Sequence, residues 1–232
     1  MQQTALVTGA SKGLGYALAS ALVNRGWHVI VDARTPAALD EAARSWGSAA
    51  TAIPGDVAEP RHRRSLREAV RTAGRLDLLV NNASTIGGSP MPSLADIDVE
   101  TLRAIYETNV IAPLSLTRAL LPYLSDSNGI VVNVSSDAAV EPYAGWGGYG
   151  PAKAALDHAT AIFAQEQPDI AAYAFDPGDM RTALHQAAFP DDDISDRPEP
   201  ATVVPALLRL IDERPDALRV RVSDLAESRG AA

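Results

Sequence analysis

Apolar residues along the chain form short continuous runs, separated by longer stretches in which they recur every three or four positions. The runs at 4–8 (TALVT), 28–33 (HVIVDA), 51–54, 76–80 (LDLLV), 129–134 (GIVVNV), 170–175 and 218–222 (LRVRV) predict seven strands. Helices are expected over 13–25, from Pro36 through Arg44, and over 61–73, 98–123, 151–166 and about 200–213. Asn24-Arg25-Gly26 supplies a stop signal for the first helix, and Pro113 predicts a bend or break in the long one.

Unbroken apolar strands, rather than alternating ones, indicate a sheet covered on both faces. Strand–helix alternation with right-handed crossovers then predicts an α/β fold: a doubly wound, mainly parallel, seven-stranded Rossmann-like sheet with helices on both faces. No internal repeat or linker interrupts it, so residues 1–232 are expected to form a single domain. The one shift in composition is at 184–200, with Asp191, Asp192, Asp193 and three prolines. It predicts a mobile surface segment on the substrate side, around 179–200, near the strand C-terminal ends where ligands bind in such sheets.

With 232 residues, 47% hydrophobic and 21% charged, the chain can bury a core that needs no covalent staple. It has no cysteine, which excludes disulfides and a thiolate zinc site and suits the cytoplasm. The opening MQQTALVTGA lacks a basic segment followed by an apolar one, so no secretory leader is expected. No apolar run approaches the ~18 residues of a membrane span. The net charge of −9 argues against nucleic acid. Arg61, Arg63, Arg64 and Arg67 are expected to form a solvated helix face beside Glu59 and Glu68, with a local phosphate contact as the alternative. Asn133-Val134-Ser135 fits a glycosylation acceptor but lies in an apolar strand, where a chance match is expected. His28, His62, His158 and His185 have no metal-ligand spacing, so no metal site is expected; His185 is expected to be a solvated loop residue, with contact to substrate as the alternative. A serine-hydrolase elbow, G-x-S-x-G, is absent.

The first strand runs into Thr8-Gly9-Ala10-Ser11-Lys12-Gly13-Leu14-Gly15 and then a helix. Such a turn brings backbone N–H groups and a helix N-terminus to a pyrophosphate. Gly9 is expected to permit the tight turn, Gly13 the close approach of the ligand, and Gly15 close helix–sheet packing. The chain here resembles the short-chain dehydrogenase/reductase family, whose fingerprint is T-G-x-x-x-G-x-G. The resemblance recurs at Asn81-Asn82-Ala83-Ser84 (usually N-N-A-G), Asn109, Ser136, Tyr149-Gly150-Pro151-Ala152-Lys153, and Pro177-Gly178 with Thr182. It covers nearly the whole chain. The Ser84 departure bears on packing near the cofactor.

The resemblance implies a nicotinamide cofactor held by Gly9, Ser11, Lys12, Gly13, Leu14, Gly15, Asn82, Ala83, Pro177, Gly178 and Thr182. Asp56 and Val57 match its adenine contacts, although Asp56 also suits a loop cap. At the end of the second strand, the discriminating position falls on Ala33, followed by Arg34; Asp32 lies one step early. Ala33 leaves room for a 2′-phosphate, and Arg34 and Lys12 offer it cations, so NADP(H) is expected over NAD(H).

Tyr149 and Lys153, four residues apart, share a face at the start of a helix. A nearby ammonium favours the phenolate, and a lowering of roughly two to three units would bring Tyr149 within reach of proton exchange. By resemblance, Tyr149 is the proton donor, and Lys153 serves it and the nicotinamide ribose. Ser136, 13 residues upstream, binds the substrate oxygen, with Ser135 as the rival. Asn109 organises a relay water. Asp137, Val140, Glu141, Trp146, Asp179, Met180 and the 184–196 segment are expected around the substrate. The expected activity is NADP(H)-dependent hydride transfer to or from a small-molecule carbonyl or alcohol. The alternative is an NADP(H)-sensing binding protein without turnover. The family's dimer helices correspond to 98–123 and 151–166, so a homodimer or homotetramer is expected.

Overall fold

The computed structural model describes residues 2–226. Seven parallel strands form one sheet in the order β3-β2-β1-β4-β5-β6-β7. They are β1 (Thr4–Val7), β2 (His28–Ala33), β3 (Ala50–Pro54), β4 (Leu78–Asn81), β5 (Ile130–Val134), β6 (Ala171–Asp176) and β7 (Arg219–Arg221). The winding reverses between β1 and β4, which opens a crevice at their C-terminal ends.

Period-two alternation decides which helices cover which face. Ala5, Val7, Val29, Val31, Leu78, Val80, Val132 and Phe175 pack against α1 (Gly13–Asn24), α2 (Pro36–Trp46) and α8 (Val204–Glu213). Leu6, Ile30, Leu79, Val131 and Ala172 point the other way. They meet Leu66 and Val70 of α3 (Pro60–Ala73), Leu116, Leu120 and Leu124 of α5 (Ala112–Asp126), and Phe163 of α6 (Tyr149–Glu166). No helix among the described residues is long and apolar enough to cross a membrane.

The long helix expected over 98–123 is two helices, α4 (Val99–Tyr106) and α5, joined by a π-helical turn at Glu107–Ile111. Pro113 sits in the first turn of α5, where proline is tolerated, so the break lies upstream of it. Pro113 has no N–H to donate to the Asn109 carbonyl four residues earlier. The segment 184–200 carries structure of its own: a short helix, α7 (Ala183–Ala188), and a buried Ile194. A last short helix, α9 (Val222–Ala226), follows β7 directly.

The arginine cluster is not uniformly solvated. Arg63 is nearly buried and donates to the Val57 and Ala58 carbonyls at 2.6 and 2.8 Å, with Glu107 at 3.2 Å. Asn133 is buried, donating to Thr160 and accepting from Asn81, both at 2.7 Å, which leaves its amide no access to modification.

Candidate active site

One cavity of about 990 Å³ runs along the C-terminal edge of the sheet, from Arg34 and Asp56 at one end to Trp146 and His185 at the other. It brings together nearly all of the expected site residues; Gly15 and Asn109 stand behind its wall.

The glycine turn is pinned from below. Gly9 and Gly13 have φ of +68° and +62°, a region that side chains disfavour. A Cβ on Gly13 would meet only Thr182, at 3.7 Å, so the space above it is open. A Cβ on Gly15 would come within 2.6 Å of the Gly9 carbonyl and of Asn82 Nδ2. Gly15 therefore makes room for the turn and the β4 loop rather than for a strand. Thr8 Oγ1 accepts the Asn82 and Ala83 N–H groups at 3.0 Å each, and Asn82 Nδ2 donates to the Thr8 and Gly9 carbonyls at 2.8 and 3.2 Å.

Asp32, set aside in the sequence, is structural at this site. It is buried, and its Oδ1 accepts the Gly9 N–H at 2.7 Å. Its Oδ2 pairs with His62 Nε2 at 2.8 Å. Burial raises its carboxyl above the usual range, opposed by the His62 and Gly9 hydrogen bonds. Nothing in the spacing announced His62, which lies thirty residues on and reaches the site through α3. Arg34 and Lys12 are exposed, line the cavity, and take part in no ion pair among the described residues. Asp56 caps its loop, accepting the Ala58 N–H at 2.9 Å, and still faces the cavity with Val57.

At the catalytic end, Tyr149 and Lys153 are both buried at the start of α6. Lys153 Nζ lies 5.5 Å from the Tyr149 ring centroid and donates to the Val134 carbonyl at 2.7 Å. In the protein alone the phenol is raised rather than lowered. Burial pushes Tyr149 up to about 12, opposed by hydrogen-bonding contact with the Ser84 and Ser136 hydroxyls. Burial also pushes Lys153 down to about 8, opposed by Asp157. The protein alone thus keeps the phenol protonated, the state a proton donor needs. Ser136 and Ser135 both line the cavity, but Ser135 is buried with its hydroxyl beside Asp157.

Ser84 bears on this end of the site rather than on the cofactor alone. Its hydroxyl touches Tyr149 and donates to Asn109 Oδ1 at 3.2 Å. Asn109 also accepts the Thr85 N–H at 2.9 Å and donates to the Thr85 carbonyl at 2.8 Å. Arg219, unforeseen from the sequence, donates to the Ser136 carbonyl at 2.9 Å and pairs with Asp176 at 3.0 Å and Asp157 at 3.1 Å. Asp176 in turn accepts the Gly178 N–H at 3.0 Å.

The substrate end is aromatic and acidic. Trp146 stands edge-on to Tyr149, centroids 5.6 Å apart, and contacts Tyr143 and Phe189. His185 is not solvated: it packs on Phe189 at 4.9 Å, lies 3.7 Å from Asp179, and lines the cavity. Asp137, Asp179 and Met180 line it too, while Val140 and Glu141 do not. Thr182 caps α7 by accepting the His185 N–H at 3.1 Å. Among the described residues no cluster of His, Cys, Asp or Glu could hold a metal.

The pattern that defines the short chain dehydrogenase family matches residues 3–193. An uncharacterized oxidoreductase of Saccharomyces cerevisiae is 34% identical over 187 residues, covering 79% of this chain and 73% of that one. Serine 3-dehydrogenase of Agrobacterium fabrum is 39% identical over 158 residues, covering 67% and 62%. Sepiapterin reductase of Mus musculus is 32% identical over 200 residues, covering 79% and 76%. Among solved structures, a short chain dehydrogenase from Pseudomonas syringae superposes with a TM-score of 0.88 at 31% identity, covering 95% of this chain and 94% of that one. One from Escherichia coli, complexed with NADPH, gives 0.87 at 27%, covering 95% and 96%.

Proposed function

We propose that this chain, which belongs to the short-chain dehydrogenase family of oxidoreductases, is an NADP(H)-dependent enzyme that interconverts a small carbonyl compound and its alcohol. The observation that carries this reading is the juxtaposition of Ser136, Tyr149 and Lys153 in the same cavity as an open glycine turn and two cations that form no ion pair among the described residues. NADPH supplies the hydride when bound. The glycine turn and the start of α1 receive its pyrophosphate, and Arg34 with Lys12 receives the 2′-phosphate. Asn82, Ala83, Pro177, Gly178 and Thr182 flank the nicotinamide half, while Asp56 and Val57 flank the adenine. A structural relative complexed with NADPH supports the choice of cofactor.

Ser136 and Tyr149 hold the substrate oxygen, and Tyr149 gives it a proton as charge develops. Lys153 holds the ribose and returns a proton to Tyr149 through a relay at Asn109, whose carbonyl lacks its α-helical donor. The 179–200 segment covers the substrate and moves to admit it. Residues 1–232 act as one domain. Exposed Ile111, Leu114 and Ile162, on the π turn, α5 and α6, form an interface in a homodimer or homotetramer. The cytoplasm suits a chain without cysteine.

The test is a melt with and without NADPH, followed by NADPH oxidation with 2,3-butanedione. Stabilisation and turnover are expected. Absence of both a melting shift and turnover across a panel of diketones and quinones would reject the reading.

A further inference from the structure

Asp137 follows Ser136 directly and holds a carboxylate at the substrate end of the cavity. Its Oδ1 accepts the Ser136 hydroxyl at 2.9 Å and the Ala138 N–H at 2.8 Å. Its Oδ2 accepts the Tyr143 hydroxyl at 2.9 Å. A carboxylate has about four acceptor sites, so Oδ2 keeps a lone pair. Asp137 is in none of the ion pairs among the described residues, unlike its neighbours in the wall. Asp179 has Arg197 at 3.5 Å, Asp176 has Arg219, and Glu199 has Arg181. Asp137 therefore brings to the reacting end a carboxylate with no ion-pair partner among the described residues. Trp146, an indole that attracts cations over its ring, lines the same space.

We infer that Asp137 selects substrates bearing an ammonium group one carbon from the reacting carbon, so that the enzyme's substrate class is vicinal amino alcohols and their amino ketones. The inference rests on the carbonyl/alcohol activity proposed above. Ser136 has one proton, and Asp137 holds it. To bind the substrate oxygen, Ser136 must give up a charge-assisted hydrogen bond. An ammonium that takes its place on Asp137 releases the hydroxyl to turn to that oxygen. A neutral substrate gives Asp137 nothing in exchange, and a carboxylate in the same position meets like charge. In the oxidation, the alcohol C–H leaves as hydride to NADP⁺, and the O–H proton passes to Tyr149 as the phenol's own proton leaves through Lys153 and the Asn109 relay to solvent; the ammonium is unchanged.

Three alcohols of similar size separate the cases: 1-amino-2-propanol, 2-butanol and lactate. With NADP⁺ near neutral pH, kcat/KM is expected to fall in that order, with the amine at least about ten-fold ahead of 2-butanol. In Asp137→Asn, which keeps the shape and the acceptor for Tyr143, the amine-to-butanol ratio is expected to collapse by about 10- to 100-fold. Using the ratio cancels any general effect of the substitution on Ser136. Each compound is also tested as a competitive inhibitor of 2,3-butanedione reduction and in melts of the NADP⁺-loaded protein, with the same order expected. A ratio unmoved by Asp137→Asn, a preference for lactate or 2-butanol, or no effect of any of the three while butanedione is reduced would each overturn the inference. Loss of both butanedione reduction and NADPH binding would instead overturn the underlying function.

Discussion

The guanidinium of Arg219 donates to the main-chain carbonyl of Ser136 at 2.9 Å, from a strand 83 residues further along the chain. The same side chain pairs with Asp157 on α6 and Asp176 at the end of β6. Arg219 thus ties the residue meant to hold substrate oxygen to the helix that carries Tyr149 and Lys153.

Arg219→Ala is expected to leave two largely buried carboxylates unpaired. Breaking such a pair costs about 3–5 kcal/mol; discounting for the partial exposure of Arg219, about 2–3 kcal/mol is expected. Urea unfolding reads this directly. Asp176→Asn in the Arg219→Ala background is expected to recover part of the loss. If Arg219→Ala is as stable as the parent, the three charges contribute nothing as a unit.

Arg34 is proposed to govern the choice between the two dinucleotides. Arg34→Ala is expected to weaken NADPH by about 10- to 100-fold and NADH by much less, since only NADPH carries the 2′-phosphate. Titration of both cofactors into parent and variant checks it. Equal losses would remove Arg34 from the site.

Lys153 leaves a signature in the pH dependence of stability. Its charge is lost near pH 8 when folded, against 10.5 ordinarily. A lysine lowered on folding is least favourable below about 8, where it is charged in both states. Between 8 and 10.5 the unfolded chain binds the extra proton, so stability rises with pH. Lys153→Met has no such slope. Relative to that variant, the parent is expected to gain on the order of 2 kcal/mol between about pH 7.5 and 9.5. Tyr149 is present in both, so its own titration drops out of the comparison. A constant difference would mean that Lys153 keeps an ordinary ammonium.

Local pattern carried the fold, because each strand is a short apolar run whose odd and even positions need different partners. Ala5 and Val7 meet α1 and α8, while Leu6 meets α3 and α5. The glycine turn and the Tyr149–Lys153 pair were readable because their parts lie within eight residues of one another. The parts that escaped are contacts between distant positions. Asp32 and His62, and Arg219 and Ser136, meet only once the sheet is assembled. The π turn at Glu107–Ile111 escaped because apolar periodicity continues through it. The sign of the Tyr149 shift depends on burial, which the spacing of Tyr and Lys does not measure.

Tyr149 is proposed to donate the proton, and Tyr149→Phe removes that donor alone. The substitution keeps the ring and its packing against Trp146 while deleting the hydroxyl. NADPH affinity and the rate of 2,3-butanedione reduction are to be measured side by side on parent and variant. The account predicts NADPH binding within about two-fold of the parent and turnover lowered by about 10²–10⁴. Near-normal turnover by Tyr149→Phe, with NADPH still bound, would contradict it.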